Sequence, residues 1–186
     1  MARKSLDEML ADLSVAFPDN NTGAITPVVL RSYFDDLIKA IRPSYALLIR
    51  DVAVAQAITT AAAPLVFTSS DITAAQGEYT ATPGIGRITR LDKGVIEFQF
   101  TADMSSPSNS PRLLTFTLYK NGVATPFQQT EQLSIIGETI SLTFTAIQSH
   151  SAAANYDMYI KSSVNETITF SNMVLVAQTI PANNPV

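Results

Sequence analysis

The chain has 186 residues and a formal net charge of −4, with 46% hydrophobic but only 15% charged side chains, well below the roughly 25% of ordinary globular chains. That length holds one good-sized domain plus an appendage. The twelve Lys and Arg are scattered, which argues against a nucleic-acid partner, and the absence of cysteine excludes disulfides, thiolate metal sites and Cys nucleophiles.

Targeting signals are equally sparse. Arg3 and Lys4 run into Ser5-Leu6-Asp7-Glu8 where a secretory leader would have an apolar core. No apolar run reaches the roughly 18 residues of a membrane span. The expectation is a chain made in a cytoplasm that works in soluble or assembled form, with no membrane partner.

Residues 1–43 read as helical. Ser5 and Glu8 make a capping box, in which each side chain satisfies a free amide at a helix start. Leu6, Met9, Leu10, Leu13 and Phe17 recur at helical spacing. Pro18-Asp19-Asn20-Asn21-Thr22-Gly23 breaks this helix, and Thr26-Pro27 starts a second, with Ile25 and Leu30 placed as a hydrophobic staple. Leu30, Tyr33, Phe34, Leu37, Ile38 and Ile41 form its stripe, and Pro43 ends it. Two short amphipathic helices bury little alone. Their stripes either cover the base of the chain's own domain or dock on a partner.

From Tyr45 the period changes to two. Tyr45 to Val54 reads as a strand, Val52 to Ala63 as strand or loop, and Pro64 to Phe67 as a short edge. Gly86 to Leu91 leads through Asp92-Lys93-Gly94 into Val95 to Phe100, and Met104 to Pro111 is a loop. Leu114, Phe116 and Leu118 face inward before the tight-turn signal Asn121-Gly122. Gln132 to Ile136 is a short strand turned by Gly137-Glu138. Ile140, Leu142 and Phe144 alternate with Thr and Ser, and Tyr156, Met158 and Ile160 form the next inward row. In the last strand Ile168 and Phe170 set a face that Val174 and Val176 continue, with a bulge near Asn172. About eight strands at this spacing predict a mainly β fold, an antiparallel β-sandwich of jelly-roll topology following two N-terminal helices. The domain boundaries are 1–43 for the helical segment, 44–181 for the sandwich and 182–186 for a loose tail.

No residue pattern carries catalysis. His150, the single histidine, lies between Ser149 and Ser151 with Asp157 nearby. No strained nucleophile turn surrounds it, so it reads as a solvated loop residue and not as part of a triad. Asp19, Asn21 and Gly23 miss the spacing of a calcium loop. Gly84-Ile85-Gly86 lacks the third glycine of a dinucleotide loop and reads as a β-turn. Asp35 and Asp36 are adjacent and point about 100° apart on a helix, so they make no acid pair. The expectation is no enzyme, no cofactor and no metal site; a depolymerase would have to hide an acid pair, with Asp103 or Asp157 as members.

Twelve charged side chains lie in residues 1–50 but eight in 101–180. A sandwich whose outer faces carry Thr and Ser with so few charges is either an ordinary exposed sheet or one that packs against copies of itself.

The segment Phe17-Pro18-Asp19-Asn20-Asn21-Thr22-Gly23-Ala24-Ile25-Thr26-Pro27, followed by Leu30-Arg31 and Phe34-Asp35-Asp36-Leu37-Ile38, resembles the opening of tailed-bacteriophage virion proteins, in which such a stretch precedes a C-terminal β-domain. Asn155 to Lys161 with Thr167-Ile168-Thr169-Phe170 is similar to the last hairpin of trimeric jelly-roll domains of the tumour-necrosis-factor or complement-C1q type. The resemblance implies a virion protein, a head decoration (cement) or head-fibre protein, whose residues 1–43 attach it to the major capsid protein or another virion protein while the β-domain forms a homotrimer. Phe17, Ile25, Leu30, Tyr33, Phe34, Leu37 and Ile38 are the expected apolar anchors, with Arg31 as a polar contact. The alternative is a tail-fibre or baseplate component that recognises a host glycan or protein.

Overall fold

The structure, a computed structural model, describes residues 32–34, 44–67, 72–105 and 108–180. The chain divides into two compact units, Met1–Pro43 and Ser44–Val186. In the first, residues 32–34 are helical; the rest of the two expected helices lies outside the described residues, as does the tail from 181.

The second unit contains twelve strands among the described residues: β1 (Tyr45–Arg50), β2 (Val54–Ile58), β3 (Ala63–Pro64), β4 (Ile72–Gln76), β5 (Tyr79–Thr82), β6 (Arg87–Arg90), β7 (Gly94–Ser105), β8 (Arg112–Lys120), β9 (Val123–Leu133), β10 (Thr139–His150), β11 (Ala154–Ser162) and β12 (Glu166–Ile180). They form two antiparallel sheets. The first runs β10-β7-β12-β1-β4, with β2 also on β12; the second runs β5-β6-β11-β8-β9, with β3 on β11. From β6 onward the chain crosses between the sheets at almost every connection, the winding of a jelly roll.

The sheets are joined by one apolar layer. Inward positions of the long strands are Ile96, Phe98, Phe100 and Met104 on β7, Leu114, Phe116 and Leu118 on β8, Leu142, Phe144 and Ala146 on β10, and Tyr156, Met158 and Ile160 on β11. Aromatic rings meet across the layer. Phe98 lies 4.6 Å from Tyr156 and Phe100 lies 5.7 Å from Phe116, both pairs tilted, a geometry favoured by ring quadrupoles.

A β-bulge in β12 decides which side chains face out. Ser171 pairs with Asp103 and Val174 with Thr101, so two residues of β12 oppose one of β7. Asn172 takes up the left-handed conformation at φ 51°. The extra residue reverses the inward phase. Before it Ile168 and Phe170 are buried; after it Met173, Leu175 and Ala177 are. Val174 and Val176, expected to continue the inward row, therefore lie on the outer face.

Other elements also depart from the sequence reading. β9 occupies Val123–Leu133, and the expected strand Gln132 to Ile136 is mostly the following turn, with Ile135 and Ile136 exposed. β9 is an edge strand that is half-buried at best along most of its length, so its residues need not alternate in hydropathy. β7 runs on through Met104 and Ser105, shortening the expected loop. β4 and β5 were not anticipated. Asn121-Gly122 does join β8 to β9, with both residues at positive φ, as a tight hairpin turn requires.

Gly86 ends a 3-10 turn at Pro83–Ile85 in the left-handed region, φ 61°. A Cβ there would stand 2.4 Å from the Leu65 carbonyl oxygen and 3.0 Å from the Phe67 ring, and Phe67 is fully buried. Gly86→Ala is expected to destabilise the β-unit by about 2–4 kcal/mol, combining backbone strain with a clash that the core resists, measured by denaturant unfolding.

Candidate assembly interface

The outer face of the first sheet is built from the side chains that the apolar layer leaves over. β10 presents Thr139, Ser141, Thr143, Thr145, Ile147 and Ser149, all exposed. β7 presents Val95, Glu97, Gln99, Thr101 and Asp103; β12 presents Val174, Val176, Gln178 and Ile180; β1 presents Tyr45, Leu47 and Ile49. Register joins them into rows: Leu47, Val176, Gln99 and Thr145 stand side by side, and so do Ile49, Val174, Thr101 and Thr143. The face thus grades from half-buried aliphatic groups on β1 and β12 to hydroxyls on β10.

Glu97 and Asp103 are the charged residues among these outward positions, and both carboxylates are held by neutral donors. Gln178 and Gln99 donate amide hydrogens to Glu97, at 2.8 and 3.2 Å. The Asn172 amide and the Ser141 hydroxyl donate to Asp103, at 2.8 and 2.6 Å. Hydrogen bonding to the ionised form holds each acid below the usual carboxylate range, the Gln178 bond leading for Glu97 and the Asn172 bond for Asp103. No lysine or arginine stands among the described outward positions of this sheet. β10, its edge strand, carries no Asp, Glu, Lys, Arg or Pro over twelve residues. Edges left bare in water are usually blunted by such residues.

The second sheet differs. Arg87 donates twice to Asp157, at 2.8 and 3.1 Å, and the carboxylate is 1% exposed although it lies on the outer side of β11. Asp157 stands opposite Tyr119, whose ring stacks on Tyr159 with centroids 3.8 Å apart and planes 17° apart. Thr89 donates its hydroxyl to Asn155, 2.8 Å away.

Three arginines are buried to 2% exposure, and each holds a connection by charge-assisted bonds. Arg50 donates to the Val66 carbonyl. Arg90 donates to the Asp92 and Lys93 carbonyls and the Thr179 hydroxyl, with its guanidinium 4.9 Å from the Tyr79 ring centroid. Arg112 pairs with Glu166 and donates to Ser108 and to the Ser110 carbonyl.

The residues weighed for chemistry in the sequence are placed as follows. His150 ends β10, is 8% exposed and has Nδ1 2.9 Å from the Tyr156 hydroxyl. It is a buried strand residue and not a solvated loop histidine, because its strand turns inward at that position. Asp157 is committed to Arg87, and Asp103 lies on the other sheet. Gly84 and Ile85 belong to the 3-10 turn. Among the described residues no group of three or more His, Cys, Asp or Glu could hold a metal ion, and no helix is long and apolar enough to cross a membrane. Of the expected attachment residues, Tyr33 and Phe34 lie in the helical stretch, with Phe34 exposed. Phe17, Ile25, Leu30, Arg31, Leu37 and Ile38 lie outside the described residues, as do Asp19, Asn21, Gly23, Asp35 and Asp36.

Comparison with protein-family models and with curated proteins found no match. Comparison with solved structures found the tumour necrosis factor Eiger from S. frugiperda at 12% sequence identity and a TM-score of 0.50, covering 78% of this chain and 98% of that one. At that identity the likeness establishes the fold: an antiparallel jelly-roll sandwich of the tumour-necrosis-factor type.

Asn172 serves both the bulge and the Asp103 carboxylate. Asn172→Ala is expected to destabilise the unit by about 1–2 kcal/mol, losing a tolerated left-handed backbone and a hydrogen bond. Asn172→Gly, which keeps the backbone freedom, should recover roughly half of that in the same denaturant titration.

Proposed function

We propose that the chain is a virion structural protein of a tailed bacteriophage, a head decoration or head-fibre protein that works as a homotrimer and attaches through residues 1–43. The observation that carries the assembly part is the outer face of the first sheet, which combines half-buried aliphatic side chains, rows of hydroxyls, two internally satisfied acids and an edge strand without charges. Such a surface has few charges to desolvate, and its two carboxylates already hold neutral donors. Support for the location comes from the phage-like sequence of residues 17–38. Three anchors on one trimer raise the effective concentration of the second and third contacts, so weak individual docking still gives firm attachment.

In light scattering the purified chain is expected at three times its 20.0 kDa mass. Thr143→Arg, an exposed change that a single copy tolerates within about 0.5 kcal/mol, should shift it to monomer by placing unpaired charge in the contact. A wild-type monomer would end the trimer reading. Deleting residues 1–43 is expected to abolish binding to phage heads; unchanged head occupancy would refute the attachment role.

A second reading, recognition of a host glycan by a tail component, gains from the half-exposed Tyr119–Tyr159 stack, which sits beside the Arg87–Asp157 and Thr89–Asn155 pairs. Aromatic faces flanked by polar groups suit sugar rings. Immunogold labelling separates the two readings: label confined to tails favours this one.

A further inference from the structure

His150 lies at the pole of the β-unit where residue 44 enters and residue 180 leaves. Its ring is enclosed by groups from several elements. Tyr156 on β11 is 1% exposed, hydrogen-bonded to Nδ1 and packed on Phe98. Arg90, at the end of β6, is buried under Tyr79 of β5. Lys120, at the end of β8, donates its ammonium to the Ser149 carbonyl at 3.1 Å. Beyond β6, Asp92 supplies the one opposing carboxylate, and it already accepts the Lys93 backbone N–H at 2.7 Å. Nε2 of His150 is buried without a hydrogen-bond partner among the described residues.

We propose that His150 and Tyr156 form an acid-released latch. With a neutral ring they hold the connection 151–153 and the adjoining ends of β10 and β11 closed; a proton on the ring expels it and frees that end, while the rest of the sandwich stays paired.

Loss of the Tyr156 hydrogen bond is not what drives release, since a protonated Nδ1 can still donate to the hydroxyl. Nε2 decides the outcome. Once the ring is charged it carries a buried N–H⁺ with no acceptor, beside two cations and one distracted carboxylate. Burial is the largest influence lowering the proton affinity of His150, followed by Lys120 and Arg90, with Asp92 opposing. Burial also pushes the Tyr156 phenol up to about 12, so this residue stays a neutral partner throughout. The folded ring thus binds its proton less readily than the unfolded one. The latch is fully stable above the ordinary imidazole range and loses stability as pH falls below it, toward the depressed folded value.

Because the chain has a single histidine, NMR of the imidazole on the full chain reads this site directly. From pH 8 to 4.5 the ring is expected to stay neutral through the range where a free imidazole titrates. Through that same range, where the opened state takes up the proton that the folded ring refuses, amide protection at residues 149–156 should fall by up to about tenfold per pH unit, the limit for one coupled proton, and level off once the folded ring itself charges, while the centres of β7 and β8 keep theirs. His150→Phe should remove this pH dependence; if that variant does not fold, the wild-type titration alone decides. An ordinary titration, protonation without a change in exchange, or protection lost evenly over all strands would each overturn the latch.

Discussion

The structure depends on one shared layer of apolar side chains between two sheets. Phe98, Phe100 and Phe116 each bury a ring in it, worth about 1.5–3 kcal/mol apiece before entropy is counted. The layer constrains parity: every long strand must send alternate residues inward, and the other half is free to vary. In this chain that free half is spent on hydroxyls and aliphatic groups, with few charges. The ends of the layer, where strands must turn, are sealed by buried Arg50, Arg90 and Arg112, whose donors satisfy carbonyls that the connections leave unpaired.

One extra residue in β12 connects the core to the outer surface. Without it, Val174 and Val176 would point inward and Met173 and Leu175 outward. With it, the two valines join Leu47 and Ile49 in an aliphatic patch, and Asn172 turns its amide to Asp103. The same irregularity coincides with the break between β1 and β2, which pair with successive halves of β12. The bulge is therefore as much a device for shaping the outer face as a local kink.

The sandwich was legible wherever inward and outward residues differ in polarity. The rows Phe98–Phe100, Leu114–Phe116–Leu118 and Leu142–Phe144 each announce a half-buried strand, and the Asn121-Gly122 turn and the bulge near Asn172 were readable from residue type alone. Short or thinly covered elements were not. β9 and β5 have a weak inward row, so their sequences carry no period, and two-residue β3 is too short for one. The phase reversal past Asn172 was hidden because Val174 and Met173 are both apolar, leaving pattern unable to choose between them. His150 was misread for a related reason: Gln148-Ser149-His150-Ser151 looks like a polar loop, and the Tyr156 hydroxyl that makes its burial tolerable is fixed only by the pairing of β10 and β11. Nor could sequence bring Tyr119 and Tyr159 together, since they meet diagonally across two strands forty residues apart.

Ser44 accepts a backbone hydrogen bond from Thr179 at 3.1 Å, so the points where the chain enters and leaves the β-unit are neighbours. A short bridge between them would close the unit into a ring, and a cut at Asn121-Gly122 would reopen it as a circular permutant with its new termini at that same pole. Cargo fused there would crowd the pole where residue 44 enters and residue 180 leaves. The far loops, at residues 134–138 and 163–165, are the better places from which to display a guest peptide outward.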